Sequence, residues 1–370
     1  MEKQRTGKQL FIKGMLLKIL LISHNFSPFV GGIESISKVF AQHFTNKGHK
    51  VHLLTWTRDS RNDTENYPYK VVRDPGIKTL FKEHNWADFV FENNPSIRLS
   101  WPAIFYRKPS IISLQTWVAQ INGKMEIQDK LKLKWLKRAD KVVACSTAIR
   151  KKCFSEAMVI PNPYQENNFQ VKPSIIRNKE FVFLGRMVSD KGARLAIEAF
   201  HKVVQNLLGT SGLRLTMIGE GPEKTKLENL ALELKLENSV KFKGCLQGEA
   251  LVDELNQHRF ILVPSLWEEP FGIVALEGMA CGCVPVVSDG GGLPDAIGKG
   301  GLTFRRGDVA ELASCMLRIL QDEQLEKELR ARAAEHLSRH KTSVIAQRYL
   351  QLIENICQKK GLSNIQKVSI

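Results

Sequence analysis

Short runs of branched apolar residues recur along this chain, and most are followed by a stretch with apolar positions three and four residues apart. That alternation marks βαβ units and confines the chain to α/β architectures built on parallel sheets. Lys18-Ile-Leu-Leu-Ile-Ser23 reads as a strand, and Pro28 to Gly32 reads as a loop. Ile33 to Lys47, apolar at 33, 36, 39, 40 and 44, reads as a helix that Gly48 ends. Val51 to Thr55 is the next strand, which completes a βαβ unit with a glycine loop after its first strand. Further strands are expected at 70–72, 89–92, 110–114 and 141–145. Residues 161–173 hold three prolines, many amides and few apolar residues, so they read as a linker.

Beyond the linker the pattern restarts. Strands are expected at 181–184, 213–218, 240–243, 260–263, 284–287 and 302–304, with helices at 193–206 and 223–236. A last helix, 344–357, is apolar at 345, 349, 352, 353 and 356. The expected organisation is a loose tail over 1–14, one Rossmann-like domain over 15–165, a second over 166–343, and a final helix and tail over 344–370. Ligands of such sheets sit beyond the strand carboxyl ends, so two facing sheets enclose a cleft.

The 370-residue length allows two domains with real cores, and 43% apolar with 25% charged residues excludes global disorder. The net charge of +16 attracts polyanions: nucleic acid, anionic lipid or phosphorylated substrates. The seven cysteines are irregularly spaced, with Cys281 and Cys283 only two apart, unlike a zinc pair. Reduced thiols in a cytoplasmic protein are expected. The apolar run Met15–Ile22 is interrupted by Lys18 and is too short to span a membrane.

The densest chemical signal is Pro264-Ser-Leu-Trp-Glu-Glu-Pro-Phe-Gly-Ile-Val-Ala-Leu-Glu277. A buried strand ends near Val263, a loop crosses Glu268 and Glu269, and Pro270 suits the first position of a helix. The amides of Phe271, Gly272 and Ile273 would then point out of the helix start, where a phosphate or diphosphate binds, and Gly272 lets the anion approach. Glu269 precedes that end, and Glu277 lies roughly 10 Å further along the helix. A carboxylate on each side of a diphosphate suits a nucleotide sugar, one near sugar hydroxyls and the other near ribose. A second cluster, Gly185-Arg-Met-Val-Ser-Asp-Lys191, places Arg186 and Lys191 in one loop after a strand. Two fixed cations there can neutralise a departing diphosphate. Gly219-Glu-Gly221-Pro222 and Gly31-Gly32 also open helices; each is a weak signal alone.

Together these segments resemble the retaining GT-B glycosyltransferases of family 4, the glycosyl transferases group 1. The family's E-x7-E falls on Glu269 and Glu277, within E-P-F-G. Its G-R…K-G falls on Gly185-Arg186 and Lys191-Gly192, and its G-x-G-P on Gly219 to Pro222. Its P-x-x-G-G-x-E falls on Pro28 to Glu34 and its hinge I-P-N on Ile160 to Asn162. The likeness spans about residues 16–357 and is strongest in the second half. It implies two Rossmann-like domains facing across a cleft, the first for the acceptor and the second for the donor, with the last helix crossing back to the N-terminal domain. It implies that Arg186 and Lys191 hold the donor diphosphate, that Glu277 binds ribose, and that Glu269 meets the transferred sugar. Gly31, Gly32, Gly185, Gly219, Gly221, Pro222, Phe271, Gly272 and Ile273 complete the donor-binding set. No metal or other cofactor is implied, since the nucleotide sugar is a co-substrate, with UDP favoured over GDP. The sequence likewise has no Asp-x-Asp triplet.

One departure stands out. Relatives often carry a His after the strand 110–114, whereas this chain has Gln115-Thr-Trp117. Glutamine can hydrogen-bond a sugar hydroxyl but cannot take a proton near pH 7. Gln115 is therefore a candidate contact for the donor sugar or the acceptor.

Lys130 to Arg138 packs five cations around Trp135, Arg150-Lys-Lys152 follows, and Arg98 to Lys108 adds Trp101, Phe105 and Tyr106. Basic stretches with interleaved aromatics can rest on an anionic membrane. The expectation is a cytoplasmic enzyme, peripheral at the inner face of the membrane, acting on a glycan or lipid-linked glycan of the cell surface. Nucleic acid is disfavoured, because no recognised module is present. Two rival readings are a nucleotide-sugar epimerase of the same fold and a silent homologue that kept only the donor site.

Overall fold

The computed structural model describes residues 16–29, 31–58, 66–118, 125–207 and 212–362. The tail expected over 1–14 and the last residues, 363–370, lie outside them. Seven strands form the first sheet: β1 (Lys18–Ser23), β2 (Lys50–Thr55), β3 (Lys70–Arg73), β4 (Phe89–Asn93), β5 (Ser110–Leu114), β6 (Lys141–Ala144) and β7 (Met158–Val159). Their order is β3-β2-β1-β4-β5-β6-β7, all parallel. Six strands form the second: β8 (Lys179–Leu184), β9 (Leu215–Ile218), β10 (Val240–Gly244), β11 (His258–Val263), β12 (Val284–Ser288) and β13 (Leu302–Phe304). Their order is β10-β9-β8-β11-β12-β13, also parallel. This is the α/β, two-sheet architecture of the GT-B fold.

Near-continuous apolar runs make these strands because helices cover both faces of a parallel sheet. Ile19, Leu20, Leu21 and Ile22 are all fully buried, as are Phe260, Ile261 and Leu262. The two-residue β7 was not foreseen; Met-Val is too short to carry any periodicity. In each sheet the chain order reverses once, between β1 and β4 and between β8 and β11. The carboxyl ends at these reversals open a crevice.

The last helix, Thr342–Lys359, packs on the first helix, Gly32–Asn46, as the crossing-back expectation requires. Ile345, Ala346, Tyr349, Leu350, Ile353, Ile356 and Cys357 are buried there with Ile36, Phe40 and Phe44. The Tyr349 ring packs tilted against Phe40 with 4.6 Å between ring centroids, and its hydroxyl lies 2.8 Å from Ser113 Oγ at the end of β5. At the other end, Glu166 of the linker accepts from Thr342 N at 2.7 Å and Tyr164 pairs with Lys341. The helix therefore ties the linker to the first sheet.

Tyr349→Ala should cost about 3–5 kcal/mol through the cavity it leaves. Tyr349→Phe should cost only about 1 kcal/mol, the worth of one hydrogen bond. Urea unfolding of both variants checks this, and equal losses would contradict the packing role.

Candidate active site

A cavity of about 460 Å³ lies where the two crevices face each other. Gly32, Gln115, Gly185, Lys191, Glu269, Phe271, Gly272, Ile273 and Glu277 all line it. The sequence motifs from both halves thus meet around one space. Arg186, Gly219, Gly221 and Pro222 do not line it.

Lys191 ends a short turn, Ser189–Lys191, directly after β8. Gly192 follows with φ +71, and a Cβ there would lie 1.9 Å from the Pro264 carbonyl oxygen. Only glycine allows that approach, which brings the Lys191 turn onto the segment after β11. Asp190 O then accepts from Leu266 N at 2.9 Å and Trp267 N at 3.1 Å. Lys191 Nζ meets Glu269 Oε1 at 2.5 Å and lies 5.2 Å from the Trp267 ring centroid. Ser265 Oγ donates to the same Glu269 oxygen at 2.9 Å. Both partners of this ion pair are largely shielded, so their attraction is stronger than that of a surface pair.

The helix of the E-x7-E segment begins later than the sequence suggested. It runs Ile273–Ala280 with Gly272 as N-cap at φ +114. Pro270 and Phe271 belong to the preceding loop. The reason is the neighbouring Gly291-Gly292 turn: Gly292 N donates to Glu269 O at 2.7 Å, and its Cα backs onto the Pro270 carbonyl. The loop is held in that shape until Gly272, whose left-handed backbone starts the helix. Gly272 offers no side-chain cap, and Ala275 N donates to Gly272 O at 3.0 Å. The helix-start amides left without an intrahelical acceptor are therefore those of Gly272, Ile273 and Val274, all of which line the cavity together with Phe271.

The first helix points at the same space from the other sheet. Its N-cap, Gly31, also supplies no side-chain hydrogen bond. A Cβ on Gly32 would sit 3.4 Å from Ile273 Cδ1, so two helix N-termini nearly touch across the cavity. Their dipoles make its floor attractive to anions.

Glu277 lines the cavity, and its carboxyl has no hydrogen-bond or ion-pair partner among the described residues. Burial pushes its carboxyl up to about 7. Gln115 is buried; its N–H bonds Asn94 Oδ1 at 3.2 Å and its amide donates to Ser113 Oγ at 2.8 Å. Its carbonyl oxygen has no partner among the described residues and would accept a hydroxyl.

Arg186 stands exposed beyond β8, its side chain making no hydrogen bond or ion pair among the described residues. The Gly219–Pro222 segment packs backbone to backbone instead of facing the cavity. A Cβ on Gly219 (φ +138) would lie 1.9 Å from Gly185 O, and one on Gly221 would lie 2.3 Å from Met187 O. This segment supports the loop that carries Arg186 and Lys191.

Sequence reasoning passed over the tie between the halves at Glu268. Its carboxylate contacts Lys152 and, at 3.2 Å, Arg306, while its carbonyl accepts Trp117 Nε1 at 2.7 Å. No motif marks it, although Lys152 and Trp117 both lie in segments noted for other reasons. Among the described residues no three His, Cys, Asp or Glu side chains form a metal-holding group, and no helix is long and apolar enough to cross a membrane.

Known proteins resemble this chain as follows. Residues 165–336 match the family model described as glycosyl transferases group 1. A glycogen synthase of Mycobacterium tuberculosis is 29% identical over 86% of this chain and 89% of its own length. The phosphatidylinositol N-acetylglucosaminyltransferase gpi3 subunit of Schizosaccharomyces pombe is 22% identical over 95% of this chain and 83% of its own. The crystal structure of Anabaena Alr3699/HepE in complex with UDP and glucose superposes with a TM-score of 0.76 at 20% identity, covering 92% of this chain and all of that one.

Two outcomes follow from the geometry. Between pH 4.5 and 7 the unfolded chain has lost a proton that native Glu277 keeps, so stability falls as pH rises through that window. Glu277→Gln removes this proton, and its stability relative to wild type should rise by on the order of 3 kcal/mol from pH 4.5 to 7.5. Parallel urea-unfolding curves across pH would contradict the buried carboxyl. Gly219→Ala should lower the melting temperature as well as donor binding, since its Cβ meets backbone; unchanged melting would contradict the packing role.

Proposed function

We propose that this chain, a glycosyltransferase of the GT-B fold with a group 1 domain over residues 165–336, moves one sugar from a nucleoside diphosphate to a hydroxyl of a glycan or lipid-linked glycan. UDP is favoured over GDP, the anomeric configuration is retained, no metal takes part, and the product is a cell-surface polysaccharide. The observation that carries this reading is the Lys191–Glu269 pair set at the start of the helix Ile273–Ala280, opposite Gly32. The similarity to the Anabaena protein crystallised with UDP and glucose supports the choice of base, and the similarity to the phosphatidylinositol N-acetylglucosaminyltransferase subunit supports a lipid acceptor.

Each residue has a task in this scheme. The donor diphosphate lies between the two helix N-termini, and Glu277 accepts from ribose hydroxyls. Sugar hydroxyls donate to Glu269, which releases Lys191 to the phosphate. As the bond from the anomeric carbon to the phosphate oxygen breaks, negative charge gathers on UDP. Lys191, the first-turn amides and Arg186, swinging in from its exposed position, stabilise that charge. The acceptor oxygen attacks the face the leaving group departs from, and its proton passes to the departing phosphate oxygen. Gln115 orients a hydroxyl and takes no proton. The enzyme works peripherally at the inner face of a membrane, where its basic N-terminal half meets anionic lipid.

Lys191→Ala should lower kcat about 10²–10³-fold, and Arg186→Ala should lower it less, because it stands outside the cavity. Steady-state transfer assays with UDP-sugars check both; wild-type rates would refute the phosphate roles. EDTA should leave the rate unchanged. Incubation with donor alone separates the epimerase reading, which requires an altered sugar still attached to UDP.

A further inference from the structure

We infer that the N-terminal half carries a second binding site, outside the cleft, for the phosphate-bearing headgroup of an anionic membrane lipid. It deepens the membrane reading above by giving it a place. A cavity of about 300 Å³ lies against one face of β4 and β5, beneath the helices Ala103–Tyr106 and Ile127–Leu136. Arg107, Lys108, Arg138 and Lys360 line it.

The charges there do not balance. Asp140 is matched by Lys360 at 2.6 Å. Glu92 lies buried on the floor, where its oxygens accept from Trp135 Nε1 at 2.9 Å, Ser100 Oγ at 2.8 Å and Ser96 N at 3.2 Å. Burial pushes its carboxyl upward, which weakens it as a counter-charge. Arg107 has no carboxylate partner among the described residues, Arg138 makes no ion pair and has only the charge of buried Glu92 near it, and Lys108 reaches only the Asn85 carbonyl at 3.4 Å. The Arg138 guanidinium lies 4.3 Å from the Trp135 ring centroid, so the indole holds the cation at the cavity. A pair of guanidinium groups lining one cavity fits a phosphate.

The surroundings select a lipid over a soluble phosphate. Ile104 and Phe105 are 52% and 65% exposed beside the mouth, and Ile127 and Leu131 are 79% and 54% exposed on the adjoining helix. Ile127, Lys130, Leu131 and Lys134 fall on one helical face and continue to Arg138. A soluble anion would leave these apolar side chains in water. A bilayer takes them into its headgroup boundary while its phosphates meet the lysines.

Calorimetry with monomeric short-chain phosphatidylglycerol tests the site, and flotation with neutral or acidic vesicles tests the surface. Wild type should bind the short-chain lipid at one saturable site and float only with acidic vesicles. Arg107→Asn/Arg138→Gln should bind at least about tenfold more weakly, having lost two charge-assisted contacts; asparagine suits the left-handed backbone of Arg107. Lys130→Gln/Lys134→Gln should bind the short-chain lipid within about twofold of wild type, and the UDP-induced thermal shift should persist in both pairs. Equal loss in the two pairs would reduce the site to diffuse surface charge and overturn it, while flotation would still uphold the membrane reading. Binding of sn-glycerol 3-phosphate as tight as that of the lipid, without flotation, would assign the cavity to a soluble phosphate and overturn both.

Discussion

Glu269 and Lys191 sit within hydrogen-bond distance because Gly192 lets the turn after β8 lie directly on the turn after β11. The rest of the site is arranged around that approach. Asp190 pins the Leu266–Trp267 backbone, Ser265 fixes the carboxylate, and the Gly291-Gly292 turn holds the loop until the helix can start at Ile273. In the protein alone the pair neutralises itself, so the attraction for a diphosphate comes first from two helix N-termini. In the proposed reaction, a ligand whose sugar satisfies Glu269 converts Lys191 into a free cation, so that sugar binding and stabilisation of the leaving group are coupled through one carboxylate.

That coupling requires the two sheets to face each other, and the chain secures this with elements distant from the cavity. The last helix joins the first sheet through Tyr349 and the linker through Glu166 and Tyr164. Tyr349 also reaches the cleft indirectly, since its hydroxyl shares a hydrogen bond with Ser113 Oγ and Gln115 donates to the same Ser113 oxygen. Glu268 makes the closest polar tie across the opening, with Trp117 and Lys152 on one side and Arg306 on the other. It stands next to Glu269, so the position of that carboxylate depends on how the halves meet.

Much of this was legible in the sequence. Strand positions followed from buried apolar runs, because parallel sheets covered on both faces leave little else for such runs to do. Lys191, Glu269, Glu277 and Gly32 were found because motif spacing places them at strand ends and helix starts, where the topology brings them together. The helix start was misplaced by three residues because Pro270 fits a first turn locally, while the Gly291-Gly292 turn that holds it out of the helix is distant in sequence. Gly219 and Gly221 belong to the donor-binding set that the family resemblance implies, yet their missing side chains make room for the Gly185 and Met187 backbones. Local sequence does not say whether a glycine faces a ligand or a neighbouring chain segment. The Glu268 tie was invisible for the same reason, since its partners come from three separate stretches.

In the proposed reaction the cavity grips a diphosphate, and Lys191, released from Glu269, is the cation that meets it. Calorimetric titration of wild type and Lys191→Met with uridine and with UDP tests it most directly. The account predicts that UDP binds wild type far more tightly than uridine does, and that the variant loses much of that difference while keeping its uridine affinity. Equal affinities for uridine and UDP in the wild type, or an undiminished preference in the variant, would contradict it.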